Sequence, residues 1–315
     1  MTIPAALHTG AFMSTESKTP LAALALVLLV IFWSYNWVVM KSVLQYIGPL
    51  QFAALRCLSG AFLLFLLLLV TGRKLAPPPM GPTVMIGLFQ TVGMTGVSQL
   101  ALVAGGAGNT AIMAYTLPFW MILLAAVFLG ERIRRKQVVA LVLAGIGLFL
   151  VMRPWQGTGS LLSSFLGVLS GFFWACGAIA TKRLYQRHVH VDLLNLTAWQ
   201  MVIGCVVLVA AAFVTYDKPI VWSNYLLFAL AYNALPATAL AWVLWLFILR
   251  VLPTGVSGLS MLLVPVSSVL LAWALLDESP GVAGWVGIAC IVAALTVTTG
   301  AVSLLKKLRG TPRDA

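Results

Sequence analysis

The sequence predicts an all-α integral membrane protein: ten transmembrane helices arranged as two inverted five-helix repeats. Three observations carry that expectation. Of the 315 residues, 62 % are hydrophobic and 8 % charged, whereas a soluble domain carries about 25 % charged residues. A fourteen-residue stretch recurs in the second half of the chain. The basic residues fall mostly on one side of the apolar runs.

The recurring stretch is residues 118–131, PFWMILLAAVFLGE, which returns 147 positions later as PVSSVLLAWALLDE at 265–278. In that register Pro118 falls on Pro265, Leu123 on Leu270, Leu129 on Leu276 and Glu131 on Glu278. A mid-helix Pro and a terminal Glu kept at one spacing mark a duplicated unit rather than chance matches between apolar segments. Gly108 and Gly255 share the register, and Trp33 and Lys41 are echoed by Trp174 and Lys182 at an offset of 141. One loop insertion accounts for the different offset.

A hydrocarbon core about 30 Å thick takes about 20 apolar residues per helix. Such runs lie at 20–40, 49–70, 83–104, 109–129, 137–152, 161–181, 193–214, 222–249, 254–276 and 282–304; they are helices 1 to 10 below. The chain therefore divides into a tail (1–19), a first repeat (20–152), a linker (153–160), a second repeat (161–304) and a basic tail (305–315). With both termini in the cytoplasm, cytoplasmic segments hold 15 of the 19 Lys and Arg residues, as the positive-inside rule requires. The net charge of +12 is thus read as topology, and a nucleic-acid partner is excluded. Five helices per unit invert the second copy. Accordingly Glu131 precedes the basic run Arg132 to Lys136, whereas Glu278 precedes Ser279-Pro280-Gly281. Inverted repeats are a construction characteristic of transporters, with the substrate site near the midplane.

Helix 1 carries FWSYNW at 32–37. Asn36 is costly in lipid unless it faces protein or a cavity, and Trp33, Asn36 and Met40 share one face. Trp33 lies thirteen residues past Pro20, roughly 20 Å deep at about 1.5 Å per residue. That depth places Trp33 in a cavity, whereas Trp37 reads as interfacial belt. Arg56 in helix 2 is the one base well inside a span; it is assigned an architectural role, snorkelling to headgroups or helix-end carbonyls. Helix 3 is rich in polar and small residues, of which Gln90 and Gln99 need partners for their amides and are placed on an aqueous path.

Helix 4 holds Tyr115 just before Pro118, and helix 9 repeats the proline at Pro265. Each proline removes a backbone hydrogen bond and permits bending. Glu131 and Glu278 are helix-end structural groups. Helices 5 and 10 present small-residue faces (Ala140, Ala144, Gly147; Ala283, Gly284, Gly287) and are read as packing helices through which a homodimer would form. Trp174 in helix 6, and Tyr232 and Asn233 in helix 8, complete the cavity candidates. Cys57, Cys176, Cys205 and Cys290 all fall in apolar spans, so no disulfide framework is argued. Residues 1–12 lack a positive n-region, so no cleaved signal peptide is expected.

No Asp or Glu interrupts a span, which argues against a proton-coupled pump. No phosphate-binding loop, metal-ligand cluster or nucleophile–base pair is found; no cofactor, metal or catalytic residue is assigned, and a membrane-embedded enzyme is disfavoured. An uncharged cavity of Trp, Tyr, Asn and Gln suits small neutral or zwitterionic solutes with an apolar body.

The doubled Pro-to-Glu helices, the early tryptophans of helices 1 and 6, Arg56, and Leu252-Pro253-Thr254-Gly255 ahead of helix 9 together resemble the EamA branch of the drug/metabolite transporter superfamily. The resemblance covers residues 20–304. It implies a carrier in the cytoplasmic membrane with a cavity between helices 1, 3, 4, 6, 8 and 9, and export of amino acids or similar small metabolites. A drug or nucleotide-sugar carrier is the alternative. Related four-helix multidrug carriers have a membrane Glu in helix 1, where this chain has Trp33 and Asn36; proton-for-drug antiport is not expected.

Overall fold

The computed structural model of the chain describes residues 15–105, 107–153, 155, 160–216, 218–276 and 281–299. Glu278 and most of both tails and the linker lie outside the described residues. Nine of the described helices are long and apolar enough to cross a membrane, and Gly281–Val297 is a shorter apolar tenth. Helix 1 runs over Thr15–Ser42, helix 2 over Pro49–Val70 and helix 3 over Met80–Ala104. Helix 4 comprises Ala107–Ala114 and Leu117–Phe128, and helix 5 is Arg135–Met152. In the second half helix 6 is Leu161–Arg187, helix 7 Leu193–Val214 and helix 8 Asn224–Val251. Helix 9 comprises Thr254–Ser260 and Leu263–Leu276, and helix 10 is Gly281–Thr299.

Helix 6 continues past its apolar run, so Lys182, Arg183 and Arg187 are helical rather than in a loop. Cations suit the C-terminal end of a helix, where unpaired carbonyls gather negative charge. The proline connector before helix 3 is held by helix 7: Asn195 Nδ2 donates to the carbonyls of Lys74 and Ala76, and Trp199 Nε1 to that of Leu75.

The helices pack as two interlocked halves. Helix 1 lies on helices 8 and 9, and helix 6 lies correspondingly on helices 3 and 4. Helix 2 packs on helices 7 and 8, and helix 7 on helices 2 and 3. Exchanging helix n for helix n + 5 maps this set of pairs onto itself, which is the internal twofold that a duplicated, inverted unit requires. Side chains on the outer faces, such as Phe62, Val127 and Phe213, are 66 %, 74 % and 80 % exposed and turn to lipid.

Hydrogen bonds repeat the symmetry. Lys41 Nζ donates to the carbonyls of Leu102 and Gly105 at the end of helix 3. Lys182 Nζ donates to the carbonyl of Leu252 at the end of helix 8, the register equivalent of Gly105. Each half thus closes the end of its third helix with the lysine of its first, satisfying carbonyls that a helix leaves open.

Helices 3 and 8 share a second irregularity. Both widen into π-helix, over Gly87–Gly96 and Asn233–Leu240, equivalent positions of the two repeats. Such stretches are uncommon and concentrate at functional sites. In helix 8, Pro236 lies inside the wide stretch, and Asn233 Nδ2 donates back to the carbonyl of Ala229. Helices 4 and 9 are interrupted just ahead of Pro118 and Pro265, at 115–116 and 261–262.

The small-residue faces of helices 5 and 10 meet each other within one chain. A Cβ on Gly147 would lie 2.7 Å from the carbonyl oxygen of Gly287, so the two backbones are in direct contact. These two small-residue faces therefore cover each other within one chain.

Candidate functional site

A narrow cavity lies in the half of the bundle where helices 1 and 3 end and helices 2 and 4 begin. In this conformation it has room for little more than a water molecule. Helix 1 supplies Trp33, Asn36, Trp37 and Met40, and helix 2 supplies Arg56. Met94, Thr95 and Ser98 come from helix 3, Tyr115 from helix 4 and Trp242 from helix 8. Helix 1 contributes a stripe because residues three and four apart fall on one face.

Aromatic rings form its deep end. Trp33 meets Trp174, Trp242 and Trp245 with ring centroids 5.1, 5.7 and 6.4 Å apart. Trp174 also packs on Trp245 at 5.5 Å and Tyr115 at 5.7 Å. Most of these pairs are edge-to-face, the arrangement that the ring quadrupole favours. Trp33 Nε1 donates to the carbonyl of Ala237 at 3.0 Å, inside the π-helical stretch of helix 8. Trp37 Nε1 faces the Tyr115 hydroxyl at 3.4 Å.

Three of the sequence-predicted residues, Trp33, Asn36 and Tyr115, lie on the cavity wall. Trp174 lies one ring behind, fully buried. Gln90 is buried between helices 3 and 6, its side chain against Gly177. Tyr232 turns to the outer side of helix 1, where its hydroxyl donates to the carbonyl of Phe32 and its ring meets Tyr35. Asn233 bonds within its own helix. Pro118 follows the break in helix 4 directly, as the second residue of the new segment, and Pro265 is the third residue of its segment. Glu131 accepts a hydrogen bond from Thr254 Oγ1 at the start of helix 9.

Two side chains go elsewhere than the sequence reading sent them. Trp37 is 4 % exposed and lines the cavity, so it is no interfacial belt. Arg56, also 4 % exposed, does not snorkel. Its Nε donates to Thr238 Oγ1 at 3.3 Å, and Nη1 contacts Met40 Sδ. Helix 8 comes this close because Gly60, one turn along from Arg56, has only a hydrogen facing Thr238. Trp242, Met94, Thr95 and Ser98 complete a wall that residue type alone did not single out. The helical spacing of Met94, Thr95 and Ser98 in a polar helix was the available signal.

The chemistry on offer is recognition rather than bond-making: rings, hydroxyls, an amide and one guanidinium, with no cluster of metal-ligating residues among the described residues. Two inverted halves around such a cavity form the framework of a membrane carrier, and comparison with known proteins puts the chain in that class: it is a multi-pass membrane transporter and not an enzyme. It belongs to the EamA-like transporter family, whose model matches residues 20–153 and again 161–300. The chain is 29 % identical over 264 residues to a probable amino-acid metabolite efflux pump of Salmonella typhimurium, covering 80 % of this chain and 86 % of that one. It is 23 % identical over 261 residues to the uncharacterized transporter YoaV of Bacillus subtilis, covering 81 % and 88 %. The pseudopaline exporter CntI of Pseudomonas aeruginosa is 27 % identical over 170 residues, covering 51 % and 58 %. A solved crystal structure superposes with a TM-score of 0.75 at 19 % identity, over 91 % of this chain and 99 % of its own; that likeness concerns the fold.

Proposed function

We propose that the protein exports amino acids with apolar side chains, or similar small metabolites, across the bacterial cell membrane by alternating access, with both termini in the cytoplasm. The observation that carries this reading is the cavity itself: rings for an apolar body, and Asn36, Thr95, Ser98 and Arg56 for a polar head. The outward direction draws on the relatives named as an efflux pump and an exporter.

A difference between the two halves supports alternation. Trp33 Nε1 is bonded to the carbonyl of Ala237. Trp174, its counterpart, has no partner at Nε1 among the described residues, and the carbonyl of Gln90, the register equivalent of Ala237 on the facing helix, accepts from Thr95 Oγ1 instead. Two chemically similar halves in different conformations are what one state of a rocking carrier requires. In the opposite state Trp174 takes the Gln90 carbonyl and Trp33 releases Ala237. Pro118 and Pro265 provide the bending points.

Uptake of labelled phenylalanine, leucine and alanine into liposomes holding only this protein tests the substrate class. Movement of at least one above empty liposomes is expected. If none moves, with or without a pH gradient, the amino-acid reading is wrong. A nucleotide-sugar carrier would want several bases in the cavity, and Arg56 is the one base on this wall.

A further inference from the structure

Among the described residues Arg56 is a charge without a counter-charge. It is 4 % exposed, in a chain whose bases otherwise gather at helix ends and in loops. The two carboxylates whose side chains are described are engaged elsewhere. Asp192 pairs with Arg73 at 2.7 Å, and Glu131 accepts from Thr254. Around the guanidinium are one hydroxyl, Thr238 Oγ1, and one thioether, Met40 Sδ. The thioether is a weak acceptor, and a guanidinium has several N–H groups to satisfy.

Removing a charge from water without a partner is strongly unfavourable. Ionisable groups within a membrane protein accordingly mark the path of a substrate or ion. The anchoring of Arg56 supports the same reading. Thr238 holds Nε from one side, and Met40 lies at Nη1. The guanidinium is thereby fixed on the cavity wall, and its planar fork matches the two oxygens of a carboxylate. On the helix 1 side of the same cavity, the Asn36 carboxamide oxygen has no hydrogen-bond partner among the described residues. It is an acceptor suited to an N–H donor. The rings of Trp33, Trp37 and Tyr115 lie with these polar groups.

We propose that Arg56 is the anion subsite of the cavity, taking the carboxylate of a solute that carries one negative charge and an otherwise apolar or aromatic body. Asn36 accepts from an ammonium or amide N–H where the solute has one. This inference rests on the reading of the cavity as the transport site, and it narrows the substrate class from small metabolites to monocarboxylates. A solute with several negative charges would meet a single guanidinium and is disfavoured. A neutral solute would leave the charge uncompensated.

The test uses the full-length protein in lipid nanodiscs and isothermal titration calorimetry with two probes of equal shape, phenylacetate and phenylacetamide. The wild type is expected to bind the carboxylate about 10- to 100-fold more tightly than the amide, the range for hydrogen bonds to charged groups. Arg56→Gln should abolish that preference, and Arg56→Lys should keep part of it, because an ammonium holds the charge but not the fork. Equal affinity of the wild type for the two probes would overturn the proposal and needs no folded variant. A preference that survives in Arg56→Gln would also overturn it.

Phenylalanine counterflow in liposomes, run in parallel, separates this inference from the functional reading beneath it. If phenylalanine does not move but phenylacetate binds through Arg56, the anion site stands and amino-acid transport falls. If phenylalanine moves equally in the wild type and Arg56→Gln, transport stands and the anion site falls.

Discussion

Trp33 touches three other indoles and holds the carbonyl of Ala237, so its ring and its N–H are separable by substitution. Trp33→Phe keeps an aromatic ring at the deep end of the cavity and removes the hydrogen bond; a loss of about 1 kcal/mol in stability is expected. Trp33→Ala removes the ring as well and should lower transport by roughly tenfold or more, each edge-to-face contact adding about 0.5–1.5 kcal/mol beyond its buried area. Thermal melts and liposome transport measured side by side check both; an unchanged rate in Trp33→Ala removes the residue from the site. At this scale the sequence was informative where an unusual residue lay deep in an apolar run, as Trp33, Asn36 and Tyr115 do. It was uninformative about direction around the helix axis. Arg56 lies seven residues past Pro49, a depth that permits either snorkelling or burial, and only the neighbouring Thr238 and Gly60 decide between them.

Helices 5 and 10 illustrate the next scale. Their small residues announced close packing, but against what was not written in either helix. Gly147 faces the carbonyl of Gly287 and the Ile291 side chain, and backbone cannot give way as a flexible side chain does. Gly147→Leu should therefore separate the pair and cost about 1–3 kcal/mol, the usual penalty of overpacking, seen as a lower melting temperature in detergent. Gly81, with nothing near its Cβ position, is the matched control and should melt as the wild type does when changed to Ala. The π-helical stretches of helices 3 and 8 escaped the sequence reading altogether. An α-helix and a π-helix share the same apolar composition, and what separates them is the packing of Gly87, Gly93 and Gly96 on helices 6 and 7 and the presence of Pro236.

Across the whole molecule, the two halves share one sequence logic but differ in the hydrogen bonding of Trp33 and Trp174. If the Trp33 and Trp174 bonds exchange during transport, removing either N–H biases the equilibrium in opposite directions. Trp174→Phe should favour the present state, and Trp33→Phe the other. A cysteine at Met94, on the cavity wall, reports this through its labelling by a membrane-impermeant maleimide from the Lys41 side. Labelling should rise in the first variant and fall in the second; a shift in the same direction in both contradicts the exchange. Orientation in the membrane is checked separately, in a background lacking the four native cysteines. Ile133→Cys should label only from the cytoplasm and Tyr216→Cys only from outside.

Composition and repetition were sufficient, without coordinates, to establish ten helices, two inverted copies and a membrane setting. Apolar length and charge placement are properties of the chain read one residue at a time, and lipid imposes them directly. The tertiary structure alone decided which faces turn inward: that Arg56 points into the cavity, that Gln90 and Tyr232 do not line it, and that Trp33 rather than Trp174 holds its hydrogen bond. Those outcomes depend on the azimuth of each helix against its neighbours, which is set by contacts between residues far apart in sequence.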